Sequence, residues 1–267
     1  MRFPLRLTAD LTLGLARQAL RGNARRPLIF RLAPMEEPHR PLLAGEKPRH
    51  GQESVSGMLA GLEECAAPVV WIGGPEPLGH PEIARLTRGI VERRRHVFLQ
   101  TDGDLLRRRI HEFQPLPRFF LAVEFNGLEE SHDLRAGRKG AFHTAVEAIR
   151  TAKLSGFHTC AYTAMDANTR VHELQRLGEY LQALKMDGWV ILPSSDPASP
   201  AACKREAARH KLRDARRLIG GRRWRWLSER LEAAATPRPA ADPTPAPGLA
   251  REPQSEPDIY DEGVQLP

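Results

Sequence analysis

Short apolar runs alternate with amphipathic segments along most of the chain, and this alternation predicts an α/β fold. The apolar runs are rich in β-branched and aromatic residues, as is typical of buried parallel strands. Sharp turns rich in glycine, proline or asparagine follow several of the runs. We predict six strands, at residues 27–33, 68–72, 96–100, 118–125, 157–165 and 189–192.

The segments between these runs have apolar residues at helical spacing. Helices are predicted at 53–64, 105–113, 141–154 and 171–184. A further helix is predicted to begin at Pro81, with Ile83, Leu86, Ile90 and Val91 on one face. Parallel strands joined by helices form right-handed βαβ units. The fold class is therefore α/β, a partial (β/α)6 TIM-like barrel with extra terminal helices, and any site is expected in the loops after the strand C-termini.

The two ends of the chain depart from this alternation. Residues 5–21 predict a helix with a stripe of Leu7, Leu11 and Leu15, followed by arginines. It is either an interfacial helix beside anionic lipid or a cap on the bottom of the barrel, and we favour the cap. The predicted domains are an N-terminal helix (1–26), the barrel (27–193), basic helices (194–235) and a disordered Pro-rich acidic tail (236–267).

Composition narrows the choice of compartment and partner. The net charge is +7 although the tail is acidic, so the rest of the chain is more basic still. This basic part of the chain is consistent with binding to an anionic membrane surface, or less readily to nucleic acid. An ordinary solvated basic surface without a partner explains the charge equally well. Three dispersed cysteines and no apolar run of membrane-spanning length predict a cytoplasmic protein, with peripheral membrane association as the alternative.

The predicted loops after the strands carry a set of motifs in a definite order. G-G-P-E-P-L and H-P-E-I follow the second strand, T-D-G the third, and F-N-G-L-E-E-S-H-D with R-K-G-A-F the fourth. In this order they resemble the radical S-adenosylmethionine (SAM) superfamily. The segments G-L-A-R-Q-A-L-R-G-N-A-R-R-P, E-E-C-A-A-P-V-V and M-D-G-W-V-I-L-P most resemble its hopanoid-pathway branch, the adenosyl-hopene transferases.

The resemblance implies a SAM pocket at the barrel mouth and a [4Fe–4S] cluster beside it. Its pocket positions fall, as a vestigial SAM site, on Gly73, Gly74, Glu76, Asp102, Glu124, Asn126 and Tyr162. In the family a C-x3-C-x2-C motif after the first strand holds the cluster through three thiolates. The cluster donates an electron that splits SAM and gives a 5′-deoxyadenosyl radical.

This sequence departs from the family where the cluster should be. Residues 34–52 contain no cysteine, and the triad positions fall near Pro38, Leu42 and Gly45. Further departures lie on the ligand-facing rim, among them Pro75 before Glu76, and Gln100. We therefore expect no [4Fe–4S] cluster, no catalytic residues and no metal site, and the polar loop with Glu36, Glu37, His39, His50 and Glu53 is interpreted as ordinary.

Three functions remain open. The first is a non-catalytic accessory or regulatory partner of a homologous radical SAM enzyme of the hopanoid type. The second is an enzyme that still binds SAM or another small molecule in the barrel mouth. The third is a basic module that binds a membrane or nucleic acid. No phosphate-binding glycine loop and no nucleophile elbow supports other chemistry.

Overall fold

Six parallel strands form one sheet in a computed structural model that describes residues 4–20, 28–35, 54–165 and 169–193. The strands follow one another in chain order, and the sheet curls into a half-barrel. Their bounds are Ile29–Leu32 (β1), Val69–Ile72 (β2), His96–Thr101 (β3), Phe119–Glu124 (β4), His158–Met165 (β5) and Gly188–Pro193 (β6). The predicted fold class is confirmed, with every strand within two residues of its expected bounds.

The helices of the described residues are Leu5–Leu20 (α1), Val55–Glu64 (α2), Ile83–Glu92 (α3), Leu106–Arg109 (α4), Glu129–Ala136 (α5), Ala141–Leu154 (α6) and Val171–Ala183 (α7). All of them except α5 lie at the predicted places, and those after α1 connect the strands. Pro81 lies in a turn before α3 rather than in its first turn, and the helix predicted at 105–113 divides into α4 and a 3-10 turn, Ile110–Glu112. The predicted segments 194–235 and 236–267, and the polar loop from Glu36 to Glu53, lie outside the described residues.

The two faces of the sheet pack differently. On the helix side, alternate strand residues pack with the apolar stripes of the helices, including Ile83, Leu86 and Ile90 of α3, all fully buried. On the concave side, four rings stack across four neighbouring strands, in the order Trp71, Phe98, Phe120 and His158. The concave face is therefore filled below its upper rim by the chain's own aromatic side chains.

Helix α1 covers the N-terminal end of the strands. Leu7 and Leu11 are buried in the same apolar cluster as residues of β1 and β2. Asp10 Oδ2 accepts a hydrogen bond from Arg118 Nη1 at 2.5 Å and lies 2.8 Å from His96 Nε2. These contacts support the barrel cap over the interfacial helix. Within the described residues, no helix is long and apolar enough to cross a membrane.

Candidate functional site

The conformation of the glycine loop after β2 is fixed by contacts with other residues of the chain. A Cβ added to Gly73 would lie 2.7 Å from Gln100 Oε1 and 3.0 Å from Trp71 Nε1, so the absent side chain leaves room for these two residues. Gly74 has a φ of +96°, which L-residues rarely adopt. Both glycines are thus required by the fold of the loop itself.

Glu76 joins this loop to the turn after β3. Its Oε2 accepts a hydrogen bond from the backbone N–H of Asp102 at 2.8 Å, and its Oε1 accepts one from Leu78 N–H at 3.2 Å. Burial raises the pKa of Glu76 from 4.5 to about 7; the Asp102 N–H opposes this increase and the Asp102 carboxylate adds to it. The carboxyl group therefore keeps its proton in the folded protein through the mildly acidic range.

Stability should consequently depend on the protonation of Glu76. The unfolded chain releases this proton near pH 4.5 and the folded chain near pH 7, so the stability that the protonated group provides is lost as pH rises between these values. Glu76→Gln mimics the protonated form. Relative to wild type, we expect the variant to gain about 3 kcal/mol in free energy of unfolding between pH 4.5 and pH 7.5.

Urea unfolding of both proteins at several pH values measures this difference. Because the other titrating groups are common to both proteins, they cancel in the comparison. A difference that does not change with pH would show that Glu76 has the same pKa in the folded and the unfolded protein, and would contradict the prediction.

Arg109 of α4 holds the other side of the glycine loop. Its guanidinium donates to the backbone oxygens of Leu78, His80 (2.8 Å) and Pro81 (3.1 Å). It also binds both carboxylate oxygens of Glu112, at 2.7 and 2.6 Å. A forked, planar cation suits this role, because it satisfies several carbonyls at once.

A row of hydrogen bonds crosses the rim of the concave face. Trp71 Nε1 donates to Gln100 Oε1 at 3.1 Å, and Gln100 Nε2 faces Glu124 Oε2 at 3.5 Å. From the other side Asn126 Nδ2 donates to Glu124 Oε1 at 2.6 Å, while Asn126 Oδ1 accepts from the Ala164 N–H. The donors of both amides are thus turned toward the Glu124 carboxylate.

Tyr162 lies on β5 directly opposite Glu124 of β4 in the strand register. Its side chain is buried, and its ring packs against Trp71 with centroids 5.1 Å apart. Burial, followed by the charge of Glu124, raises the pKa of Tyr162 to about 12. Its hydroxyl therefore stays protonated at neutral pH.

The residues predicted for the site lie at the C-terminal ends of β2 to β5, but they form two groups. Glu76 contacts Asp102 in one group, and Glu124 contacts Asn126 beside Tyr162 in the other. Sequence reasoning missed Trp71 and Arg109, which fix the two groups in place. His80 and Asp133 serve turns and helix starts: His80 accepts from Glu82 N–H, and Asp133 accepts from the N–H groups of Gly140 and Phe142.

The cysteines of the described chain lie away from this rim. Cys65 follows α2, before the N-terminal end of β2, and Cys160 is fully buried within β5. Burial raises the pKa of the Cys160 thiol. Within the described residues, no group of three or more His, Cys, Asp or Glu side chains is arranged to hold a metal ion.

This chain resembles known proteins both in sequence and in structure. The Radical SAM superfamily model matches residues 47–172. The Streptococcus suis protein SuiB has a similar structure, with a TM-score of 0.52 at 12% identity over 63% of this chain and 40% of SuiB. SuiB bound to its precursor peptide SuiA gives 0.52 at 13% identity over 73% of this chain and 46% of SuiB.

SuiB bound to S-adenosylmethionine is also similar, with a TM-score of 0.48 at 12% identity over 58% of this chain and 37% of that one. The chain thus spans less than half of the length of SuiB. The comparison with curated proteins gave no match. The radical SAM superfamily model thus matches slightly less than half of this chain, and the half-barrel is a fold that SuiB shares.

Proposed function

We propose that this chain is a cluster-free radical SAM homologue that does not cleave SAM reductively and acts as an accessory or regulatory partner. The observation that carries the proposal is the position of its thiols. A [4Fe–4S] cluster needs several cysteine thiolates at one place. Residues 34–52 contain no cysteine, Cys65 lies near the N-terminal end of β2, and Cys160 is a buried, protonated thiol. The two cysteines that the structure describes therefore do not fit the cluster, and the third, Cys203, lies outside the described residues.

The partner that this proposal favours is an intact radical SAM enzyme. The sequence resemblance to the adenosyl-hopene transferases supports an enzyme of that branch, which handles a polycyclic lipid. The described strands and helices form an apolar core with few large apolar side chains exposed, so the scaffold is intact without a cluster. An anionic membrane surface is the alternative partner, supported by the net charge of +7.

Anaerobic reconstitution tests the loss of the cluster. The full-length protein is incubated with iron, sulfide and a thiol reductant and then desalted. We expect colourless protein with no stoichiometric iron, and no 5′-deoxyadenosine after addition of SAM and a strong reductant. A brown protein with about four irons per chain and deoxyadenosine formation would overturn the proposal.

Retention of SAM binding without the cluster is the second candidate. It is supported by the superfamily match across Glu76, Asp102 and Glu124, and by SuiB, which has been solved bound to SAM. Against it, the space beside Gly73 is filled by Gln100 and Trp71, and both oxygens of Glu76 already accept backbone hydrogen bonds. Calorimetric titration with SAM separates the two candidates, because only the second expects saturable heat.

A further inference from the structure

The outer side of α1 carries an apolar stripe that the barrel does not cover. Four apolar residues recur on this side at helical spacing, namely Leu5, Ala9, Leu13 and Ala16. All four are exposed, Leu5 by 88% and Leu13 by 48%. Leu7 and Leu11, on the opposite side of the helix, are buried in the barrel. The helix therefore has two apolar sides, and capping the barrel uses only one of them.

The same end of the barrel exposes another leucine. Leu154 ends α6, shortly before the N-terminal end of β5, and is 91% exposed. Four large apolar side chains are exposed in the described part of the chain, and Leu5, Leu13 and Leu154 lie at this end. The fourth, Leu134 on α5, lies beyond the C-terminal end of β4. Single exposed leucines are ordinary, but several at one end of a fold mark an interaction surface.

Positive charge accompanies these leucines. In sequence, residues 1–28 contain six arginines and a single acidic residue, Asp10, which pairs with Arg118 inside the fold. The exposed cations at this end of the described chain, on α1 and on the turns before β3 and β6, are Arg6, Arg93, Arg94 and Lys185. Part of this charge is offset at the ends of α2 and α3 by Glu63, Glu64 and Glu92. The surface thus combines exposed leucines with an excess of positive charge.

This combination favours an anionic phospholipid surface over other partners. A bilayer interface accepts leucine side chains at the depth of its headgroups, while its phosphates attract arginines. A second copy of the chain, or its own basic segment 194–235, would bring like charges together. Nucleic acid would pair with the arginines and leave the leucines in water. The acidic tail, 236–267, has the complementary charge but few large apolar residues to cover the stripe.

We propose that this end of the protein docks on an anionic phospholipid membrane, with α1 lying along the bilayer surface. The docking surface, the cap face, consists of Leu5, Leu13, Leu154, Arg6 and Arg94. The barrel mouth is at the other end of the strands, so the rim with Glu76 and Glu124 points away from the bilayer and stays accessible to a partner. The inference does not rest on the loss of the cluster, because vesicle binding and iron content are measured separately and either proposal can fail alone.

Co-sedimentation of the full-length protein with vesicles tests membrane docking. Vesicles of phosphatidylcholine alone are compared with vesicles in which about a third of the lipid is phosphatidylglycerol. We expect the apparent affinity to be at least about tenfold higher for the anionic vesicles, and to fall as the salt concentration is raised. Equal binding to both kinds of vesicle, or binding to neither, overturns the proposal.

Matched leucine variants locate the binding on the protein. The double variant Leu5→Gln, Leu13→Gln removes the apolar stripe and should weaken binding to anionic vesicles at least about tenfold. Leu134→Gln makes the same change at an exposed leucine near the barrel mouth, and should bind as wild type does. Unchanged binding by the folded double variant, or an equal loss in Leu134→Gln, overturns the assignment of the cap face.

A pair of arginine variants tests the contribution of charge. Arg6→Gln should weaken binding to anionic vesicles about fivefold. Arg107→Gln removes the same charge from the exposed surface of α4, near the barrel mouth, and should leave binding unchanged. Equal losses in the two variants would mean that net charge alone attracts the protein, and would overturn the assignment.

Thermal melting shows whether each variant is folded before affinities are compared. If the double leucine variant fails to fold, Leu154→Gln and Arg6→Gln decide the outcome. Light scattering and titration with a duplex oligonucleotide identify the other occupants. A leucine variant that dissociates a dimer but keeps vesicle binding assigns the cap face to a second copy. Loss of oligonucleotide binding in Arg6→Gln with vesicle binding unchanged assigns it to nucleic acid. Either result overturns the proposal.

Discussion

Replacing Gly103 by alanine should destabilise the protein by about 4 kcal/mol, the sum of backbone strain and overpacking. Gly103 has a φ of +95°, and a Cβ there would lie 2.9 Å from Ala148 Cβ and 3.3 Å from Ala145 Cα. Both contacts are on α6, whose apolar stripe is buried against the sheet, so neither can withdraw cheaply. The melting temperature should fall by roughly 10 °C.

Gly61→Ala is the matched control, because it makes the same chemical change within α2. A Cβ at Gly61 meets nothing within 4 Å. Helix propensity should then stabilise this variant by about 0.5–1 kcal/mol. If Gly103→Ala does not lower the melting temperature relative to Gly61→Ala, the turn at Gly103 does not have the conformation described.

Removal of the Arg109 side chain should cost about 3 kcal/mol, because buried carbonyl oxygens and a carboxylate lose a charged donor. That single guanidinium donates to three loop carbonyls and to Glu112, and the Arg109 side chain is 18% exposed. In Arg109→Ala the loop from Glu76 to Pro81 should loosen. Hydrogen exchange of the Gly79 and His80 amides, which bond to Glu76 and Pro77 carbonyls, should accelerate more than exchange in β3.

Arg107→Ala provides the control for this measurement. Arg107 is an exposed neighbour in the same helix, and its replacement should change stability by about 0.5 kcal/mol or less. Equal effects of the two substitutions would mean that Arg109 acts through general charge rather than through its hydrogen bonds.

The strand order and most helices could be predicted because their signals are local. A buried parallel strand has a continuous apolar run, and helices such as α6 have an apolar stripe that the sequence displays directly. Helix α5 lacked that signal: its sequence is strongly polar, and His132 is its one buried residue. It is fixed instead from outside, since Glu173 of α7 accepts from the Leu128 N–H and from Ser131 Oγ.

The position of the candidate site could be predicted, but the contacts between its side chains could not. Parallel topology brings the C-terminal strand ends to one edge, and the resemblance to the radical SAM superfamily assigned Glu76, Asp102, Glu124 and Tyr162 to that rim. Which side chain binds which depends on rotamers and on distances of an ångström or less. Arg109 illustrates this limit, because in sequence it is one of three consecutive arginines and only the fold distinguishes it from Arg107 and Arg108.

The cap that α1 forms has a consequence for how the chain is assembled during synthesis. Asp10 meets its partners 86 residues later at His96 and 108 residues later at Arg118. The first helix therefore leaves the ribosome long before the strands on which it rests exist, and its leucines must wait in solvent or in transient contacts. Final docking of the N-terminus thus belongs among the late events of folding.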